Sequence, residues 1–208
     1  MFKIAVVLTG ALAFGFALAY PLIAWPIKVG YLGFAVMLAS AWAARVHWDR
    51  RRERVGDEPG APEREVWHCM AANAVVGGHL LGVLVQPGFD MHSVAGHAHA
   101  VDNWTLIGGA VASYFVLHNS GVKQDERDRA IAARAANAGY WALVAMIVVL
   151  LLILGFAPRH ILAPLTHQVL AHVLIEILVA ATLVQSAVQL IGYRRDALPA
   201  GEEPAGPR

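Results

Sequence analysis

The sequence predicts an all-α integral membrane protein, a bundle of six transmembrane helices with both termini in the cytoplasm. Of its 208 residues, 58% are hydrophobic and only 15% are charged. Soluble domains average about 45–50% apolar and about 25% charged residues. The charged residues also separate long apolar blocks, and Lys and Arg concentrate in alternate connections between those blocks. Together these three observations predict a multi-pass membrane protein whose main partner is the lipid bilayer.

Composition and charge exclude several classes of protein. The apolar content is too high for disorder over most of the length. The formal net charge is only +1, which argues against a nucleic-acid partner. Cys69 is the one cysteine, so an internal disulfide framework and a multi-cysteine metal site are both excluded. The ten histidines, twice as many as the tyrosines, are the unusual feature that needs a physical explanation.

Six apolar blocks are candidates for membrane spans. A spanning helix needs about 20 mostly apolar residues, because the hydrocarbon core is roughly 30 Å thick and a helix rises about 1.5 Å per residue. The block between Lys3 and Lys28 has 24 residues without a charge, but the block from Lys28 to Arg45 has only 16 and relies on snorkelling of both side chains. We predict a single transmembrane domain over 1–196, a disordered cytoplasmic tail over 197–208, and helices at about 4–25, 28–46, 66–86, 103–120, 136–157 and 165–192.

The orientation follows from the basic residues. Of the 16 Lys and Arg residues, 14 lie at the N-terminus, after the second span, after the fourth span or in the tail, and only Lys28 and Arg159 lie on the other side. Because cytoplasmic connections carry the excess of Lys and Arg, both termini are predicted to be cytoplasmic. The first span has an alternative interpretation as a signal peptide cleaved after Ala17-Leu18-Ala19, which would leave five helices in the same orientation.

A short repeat indicates a duplicated helical hairpin. Ala71-Ala-Asn-Ala74 recurs as Ala135-Ala-Asn-Ala138, and each copy begins a span and follows a mixed-charge run. Two copies with the same topology would suit a parallel duplication of spans three–four and five–six.

The second of these hairpins, about residues 123–195, resembles a group of small prokaryotic predicted membrane proteins with an Asp-Glu-Arg-Asp-Arg segment before a helical pair. The features that carry the resemblance are Asp125-Glu126-Arg127-Asp128-Arg129, Ile131, Arg134, Tyr140, Glu176, Gln189 and Tyr193-Arg194-Arg195. That family is uncharacterised, so the resemblance implies topology rather than an activity. We expect the chain to lie in a bacterial inner (cytoplasmic) membrane. Its members lack the histidine-rich loop found here.

The polar residues inside the sixth span form the first candidate site. An unpaired carboxylate such as Glu176 costs at least about 2.5 kcal/mol at the centre of a bilayer, so it is expected to face the bundle interior, to be protonated, or both. Gln168, His172 and Glu176 follow one another at steps of four and share a helix face. This stripe is either a proton or solute path or a set of interhelical hydrogen bonds that hold the bundle together.

His79 on the third span and His172 are predicted to lie at the same depth. Each is seven residues from the outer end of its span, roughly 10 Å below the surface at about 1.5 Å per residue. Two histidines at equal depth on different helices could ligate the iron of a b-type haem. The alternative is that both imidazoles are hydrogen-bonded to other polar groups of the bundle.

The histidines on the periplasmic side form the second candidate site. Treated as an extended loop between spans three and four, residues 90–102 would direct His97 and His99 to one side. Together with histidines at the ends of spans five and six, they supply the ligand types of a divalent metal site. A solvated polar loop and a pH-responsive loop are the alternatives. The candidate ligands are His92, His97, His99, Asp102, His160 and His167.

Three hypotheses for function follow. The first is a non-enzymatic membrane protein that binds or moves a small solute, proton or metal ion through a polar site open to the periplasm, with Glu176 and His172 at its core. The second is a haem- or metal-binding redox subunit that uses His79 and His172. The third is a structural subunit that stabilises a membrane partner or a homo-oligomer. No nucleophile elbow, His-Glu-x-x-His pair or phosphate loop supports an enzyme.

Overall fold

The computed structural model describes residues 2–20, 28–55, 60–86, 94–118 and 124–197, and within these ranges the chain is helical without any strand. The all-α fold class is therefore confirmed. Five helices (α1, α2, α3, α5 and α7) are long and apolar enough to cross a membrane. The helices are α1 Phe2–Ala19, α2 Val29–Val55, α3 Ala61–Leu84, α4 Val94–Leu117, α5 Glu126–Phe156, the short α6 Arg159–Leu162, and α7 His167–Ala197.

Several helices are longer than the apolar blocks that predicted them. α2 ends at Val55 rather than near residue 46, and α5 begins at Glu126 rather than near residue 136. Charged residues mark where hydrocarbon ends, but the backbone hydrogen-bond ladder continues into water or the head-group region. α7 likewise reaches Ala197, and the predicted disordered tail beyond it lies outside the described residues.

α4 differs most from its prediction. It begins at Val94 rather than near residue 103, so His97 and His99 lie in its first turns and the extended loop predicted there is wrong. Because charged residues separate the apolar blocks, the sequence predicts that this span begins after Asp102. That carboxylate is instead buried inside the bundle. In the described chain, α4 is not among the helices that are long and apolar enough for a membrane span, because its N-terminal half is polar.

α1 and α3 run parallel and in very close contact. Ile4 packs near Met70 at one end, and at the other Gln86 Nε2 donates a hydrogen bond to the Ala19 carbonyl at 2.6 Å. Between these ends, a Cβ at Gly15 would overlap the Val75 carbonyl oxygen. Small residues at such a contact let two backbones approach, which drives packing where lipid provides no hydrophobic force.

Glycines of α3 contribute equally to this contact. A Cβ at Gly78 would overlap the Leu12 carbonyl oxygen, and one at Gly82 would lie 2.6 Å from the Ala19 Cβ. Gly78 and Gly82 form a Gly-x-x-x-Gly pair, whose spacing of four residues places both on one helix face. This face of α3 therefore binds α1.

α2 and α4 also run parallel and are joined by a polar contact near each end. The Gly30 amide, in the first turn of α2, donates to Asp102 Oδ1 at 3.0 Å. At the other end Arg45 donates to the Val116 carbonyl at 2.9 Å. The first amides and last carbonyls of a helix have no intrahelical partner, so each contact satisfies a group that the bilayer could not.

α5 and α7 form an antiparallel hairpin. A Cβ at Gly139 would lie 2.9 Å from the Gln185 Cβ, and Arg127 donates to the Tyr193 carbonyl at 3.5 Å. α5 begins with a capping box in which Asp125 Oδ1 accepts from the Asp128 amide at 2.7 Å and Asp128 Oδ2 accepts from the Asp125 amide at 3.3 Å. Within the Asp-Glu-Arg-Asp-Arg segment, these two aspartates therefore start a helix.

These pairings place the N-termini of α1, α3 and α5 at one end of the bundle, together with the C-termini of α2, α4 and α7. We call this the basic end, because it carries Lys3, Arg45, Arg127 and Arg194, whereas Lys28 and Arg159 lie at the opposite end. α3 is central, since it packs against α1, α4 and α7. The predicted duplication stays a prediction. The hairpin of α3 and α4 is packed differently from that of α5 and α7, because α3 packs chiefly on α1.

The first test concerns the contact between α1 and α3. Gly78→Ala places a methyl group against the Leu12 backbone, so we expect a destabilisation of about 1–3 kcal/mol. Gly10→Ala is the matched control, because nothing lies within 4 Å of its Cβ position; it should be neutral or stabilising by up to about 1 kcal/mol. Thermal unfolding of the detergent-solubilised protein measures both changes. Equal effects of the two substitutions would contradict the described contact.

Candidate functional site

A cavity of about 280 Å³ lies between α3, α4 and α7, towards the opposite end from the basic end. Its walls are mostly apolar, but three polar side chains line it: Asn103, Gln168 and His172. Ligand sites are typically concave and largely apolar with a few polar groups. The cavity therefore brings together two of the residues that the sequence singled out and one, Asn103, that it did not.

His172 is fixed in this cavity by a contact to α3. Its side chain is 3% exposed, and its Nε2 is 3.0 Å from the Leu80 carbonyl oxygen. A carbonyl only accepts, so the Nε2 of His172 carries the proton and donates it. Because Leu80 follows His79 in the chain, this contact places His172 at the level of His79, as the sequence predicted.

His79 is the most unusual group in the bundle. It is 1% exposed, and neither of its ring nitrogens has a hydrogen-bond partner among the described residues. The imidazoles of His99 on α4 and His172 on α7 are close enough for their charges to interact with a charge on His79. Leaving a buried polar group unpaired costs about 1–3 kcal/mol. The fold therefore carries a polar group here that does not contribute to its stability.

Glu176 lies one turn deeper than His172 on the same helix. Its carboxylate faces α3, where a Cβ at Gly77 would come within 3.5 Å of Oε1. Its Oε2 is buried and has no hydrogen-bond partner in the described part of the chain. Gly77 therefore leaves room for a carboxylate in the bundle interior, which agrees with the expectation that Glu176 faces inward.

Two other side chains near the cavity also bury a polar atom. Asn103 Oδ1 and Gln168 Oε1 are buried and lack hydrogen-bond partners among the described residues. Sequence reasoning missed Asn103 because the fourth span was started at that residue. The sequence pattern that could have identified Asn103 is its spacing of four residues from His99. The same spacing separates Gln168, His172 and Glu176 on α7.

The predicted periplasmic metal ligands that the structure describes do not lie together in one site. His99 approaches His79, whereas Asp102 accepts the hydrogen bond from Gly30 of α2. His160 and His167 are exposed at the ends of α6 and α7. Within the described residues, no group of three His, Cys, Asp or Glu side chains is placed to hold a metal ion. His92 and the side chain of His97 lie outside the description, so the full ligand set stays a prediction.

Haem ligation by His79 and His172 stays a prediction, and one contact bears on it. Axial histidine ligation would require a nitrogen lone pair directed at the iron, but the Nε2 of His172 is directed at the Leu80 carbonyl. The buried oxygens of Asn103, Gln168 and Glu176, in the cavity and the turn beside it, can accept hydrogen bonds.

Replacement of His79 distinguishes a functional group from a structural one. His79→Leu has a similar volume and removes two buried nitrogens without partners, so we expect it to stabilise the protein by about 1–3 kcal/mol. His172→Leu is the matched control and should destabilise, because it removes the contact to Leu80. Thermal unfolding of the purified variants provides the measurement. If His79→Leu destabilised as much as His172→Leu, His79 would be part of the hydrogen bonding that holds the bundle together.

No protein-family model matches the sequence, and no curated protein and no solved structure matches it significantly. The resemblance of residues 123–195 to small prokaryotic membrane proteins therefore stays an expectation.

Proposed function

We propose that this chain is a non-enzymatic, multi-pass protein of the bacterial inner membrane that binds or moves a small solute, a proton or a metal ion. The site is the cavity between α3, α4 and α7, open towards the periplasm, together with the turn of α7 beside it; its core residues are His172, which lines the cavity, and Glu176 in that turn. The observation that carries the proposal is that α3 buries the His79 imidazole, and α7 the Glu176 Oε2, without hydrogen-bond partners among the described residues. Such groups inside a membrane bundle mark ion, proton or substrate pathways.

The proposal includes α4 as a sixth span. Its 24 residues correspond to roughly 36 Å of helix, enough to cross the hydrocarbon core. The polar residues that lower its average hydropathy, Asp102 and Asn103, are buried in the bundle. Among the side chains described in α4, from His99 onward, the exposed large ones are apolar, namely Trp104, Val111 and Phe115. A helix with this distribution presents an apolar surface to lipid and a polar surface to its neighbours.

The alternating direction of the helices supports the orientation with both termini in the cytoplasm. An even number of spans puts both termini on the same side. Because Lys and Arg are in excess on the cytoplasmic side, the basic end faces the cytoplasm and the cavity lies nearer the periplasm. The close fit between Gly15 of α1 and Val75 of α3 supports retention of the first span rather than its cleavage as a signal peptide.

Among the three kinds of ligand, a proton or a small cation suits the site best. The buried atoms without partners on Asn103, Gln168 and Glu176 are oxygens, which accept hydrogen bonds or coordinate cations. Gln168, His172 and Glu176 are spaced about 6 Å apart along α7, since four residues rise that far. An imidazole beside a carboxylic acid is a pair that exchanges protons. The structural-subunit hypothesis predicts that the same substitutions are silent.

The orientation is tested with single cysteines introduced in a Cys69→Ser background. Lys28→Cys and Arg159→Cys should react with a membrane-impermeant maleimide in intact spheroplasts. Arg129→Cys, at the exposed start of α5, should react only after permeabilisation, because the basic end is predicted to be cytoplasmic. Labelling in the reverse pattern would contradict the proposed topology.

Transport is tested in proteoliposomes that are given a proton gradient, and then a Na⁺ or a methylammonium gradient. We expect wild-type protein to dissipate at least one gradient faster than protein-free vesicles do. Glu176→Gln and His172→Ala should slow that rate at least about tenfold, since losing a charged hydrogen-bonding group costs roughly 1.5–3 kcal/mol.

Thr182→Val is the matched control for this experiment, because the Thr182 hydroxyl donates to the Leu178 carbonyl of its own helix at 2.9 Å. Its rate should equal that of the wild type. Wild-type vesicles that dissipate none of the three gradients faster than protein-free vesicles would refute the proposed transport of a proton or small cation.

A further inference from the structure

A second, larger cavity lies at the basic end, away from the polar site. It measures about 640 Å³ and is formed by α1, α2, α3 and α7, a size within the range of about 300–1,000 Å³ typical of ligand sites. Its buried floor is apolar and includes Ile4 and Leu190. The lining charges are Lys3, Arg194 and Glu63.

The charges in this cavity are of both signs. Lys3 and Arg194 are exposed, and neither has an ion-pair partner among the described residues. A guanidinium and an ammonium together are suited to a phosphate group, because Arg can bind it through two parallel hydrogen bonds. Glu63 is suited to the opposite charge.

Glu63 is held in place by an aromatic neighbour. Trp67 Nε1 donates to Glu63 Oε1 at 3.3 Å, and both side chains line the cavity. The Tyr193 ring lines it as well, and so does Trp48, whose ring already has the Arg64 guanidinium over it, 5.8 Å from the ring centroid. Aromatic faces attract an ammonium group, and a carboxylate beside them adds a hydrogen-bond acceptor and a full opposite charge.

The cavity continues onto a lipid-facing apolar surface. Phe2 lines the cavity and is 81% exposed, and Val6, one turn further along α1, is also exposed. Nothing lies within 4 Å of the Cβ position of Gly10, one turn beyond Val6. Acyl chains attached to a head group in the cavity could therefore lie along α1, which favours a lipid over a soluble ligand.

We propose that this cavity binds the head group of a zwitterionic phospholipid that carries a phosphate and a primary ammonium, as in phosphatidylethanolamine. The phosphate lies between Lys3 and Arg194, and the ammonium donates to Glu63. Phosphatidylglycerol carries the same phosphate but a neutral glycerol in place of the ammonium, so it would lose the opposite charge beside the Glu63 carboxylate. Phosphatidylcholine, whose ammonium has no N–H group, would lose the hydrogen bond to that carboxylate.

Native mass spectrometry of the lipid-depleted protein tests this proposal, with an equimolar mixture of phosphatidylethanolamine, phosphatidylglycerol and phosphatidylcholine of matched chain length. We expect phosphatidylethanolamine to be retained at least about tenfold over each of the others, as loss of one charge-assisted hydrogen bond predicts. Equal or greater retention of phosphatidylglycerol would overturn the proposal in favour of a general anionic-lipid site.

Variants of the protein test separately the contacts to the ammonium and to the phosphate of the head group. Glu63→Gln should abolish the preference for phosphatidylethanolamine over phosphatidylglycerol, whereas Lys3→Gln with Arg194→Gln should weaken both lipids at least about tenfold. Lys28→Gln with Arg159→Gln, at the opposite end, is the control and should change neither. A control variant that lost as much lipid as the cavity variant would overturn the proposal, as would displacement of the lipid by an equal concentration of soluble glycerophosphoethanolamine.

Discussion

The close approach of α1 to α3 is the contact on which the rest of the bundle depends. Backbone of one helix meets backbone of the other at Gly15 and Gly78, where a side chain would not fit. With α1 held on one face of α3, the remaining surface of α3 is free to contact α4 and α7. The Leu80 carbonyl belongs to that surface, so a displacement of α3 would break its contact with His172. Packing of small residues at one interface thus sets the geometry of a polar site at another.

Polar groups in this bundle fall into two kinds. Some have partners at the end of a helix: the Gly30 amide donates to Asp102, the Val116 carbonyl accepts from Arg45, and the start of α5 is closed by its capping box. Others, among them His79 on α3 and Glu176 on α7, include buried atoms without partners in the described residues. A bilayer offers no water to compensate them. In the proposed function, an interaction with a ligand or proton accounts for this cost, since functional sites commonly sacrifice stability.

Much of this arrangement could be predicted from composition and spacing. The apolar blocks predicted the long helices, because hydrocarbon thickness limits the sequence of every span. The periodicity of four on α7 predicted the face shared by Gln168, His172 and Glu176. The predicted start of α4 was wrong, because a charged residue such as Asp102 is expected at the surface unless its partner on α2 is known. Neither the contact of His172 with the Leu80 carbonyl nor the room that Gly77 leaves for Glu176 could be predicted, since both depend on which helices become neighbours.

Access of water to the cavity between α3, α4 and α7 is the most direct test of the central claim. Ile107 lines the cavity, and the adjacent Gly108, at the same depth, has nothing within 4 Å of its Cβ position. In a Cys69→Ser background, a small hydrophilic thiol reagent should modify Ile107→Cys from the outer face of the membrane and leave Gly108→Cys unmodified. Modification of neither cysteine, or of Gly108→Cys alone, would show that the cavity is closed to water and would contradict a polar site that receives a ligand from the periplasm.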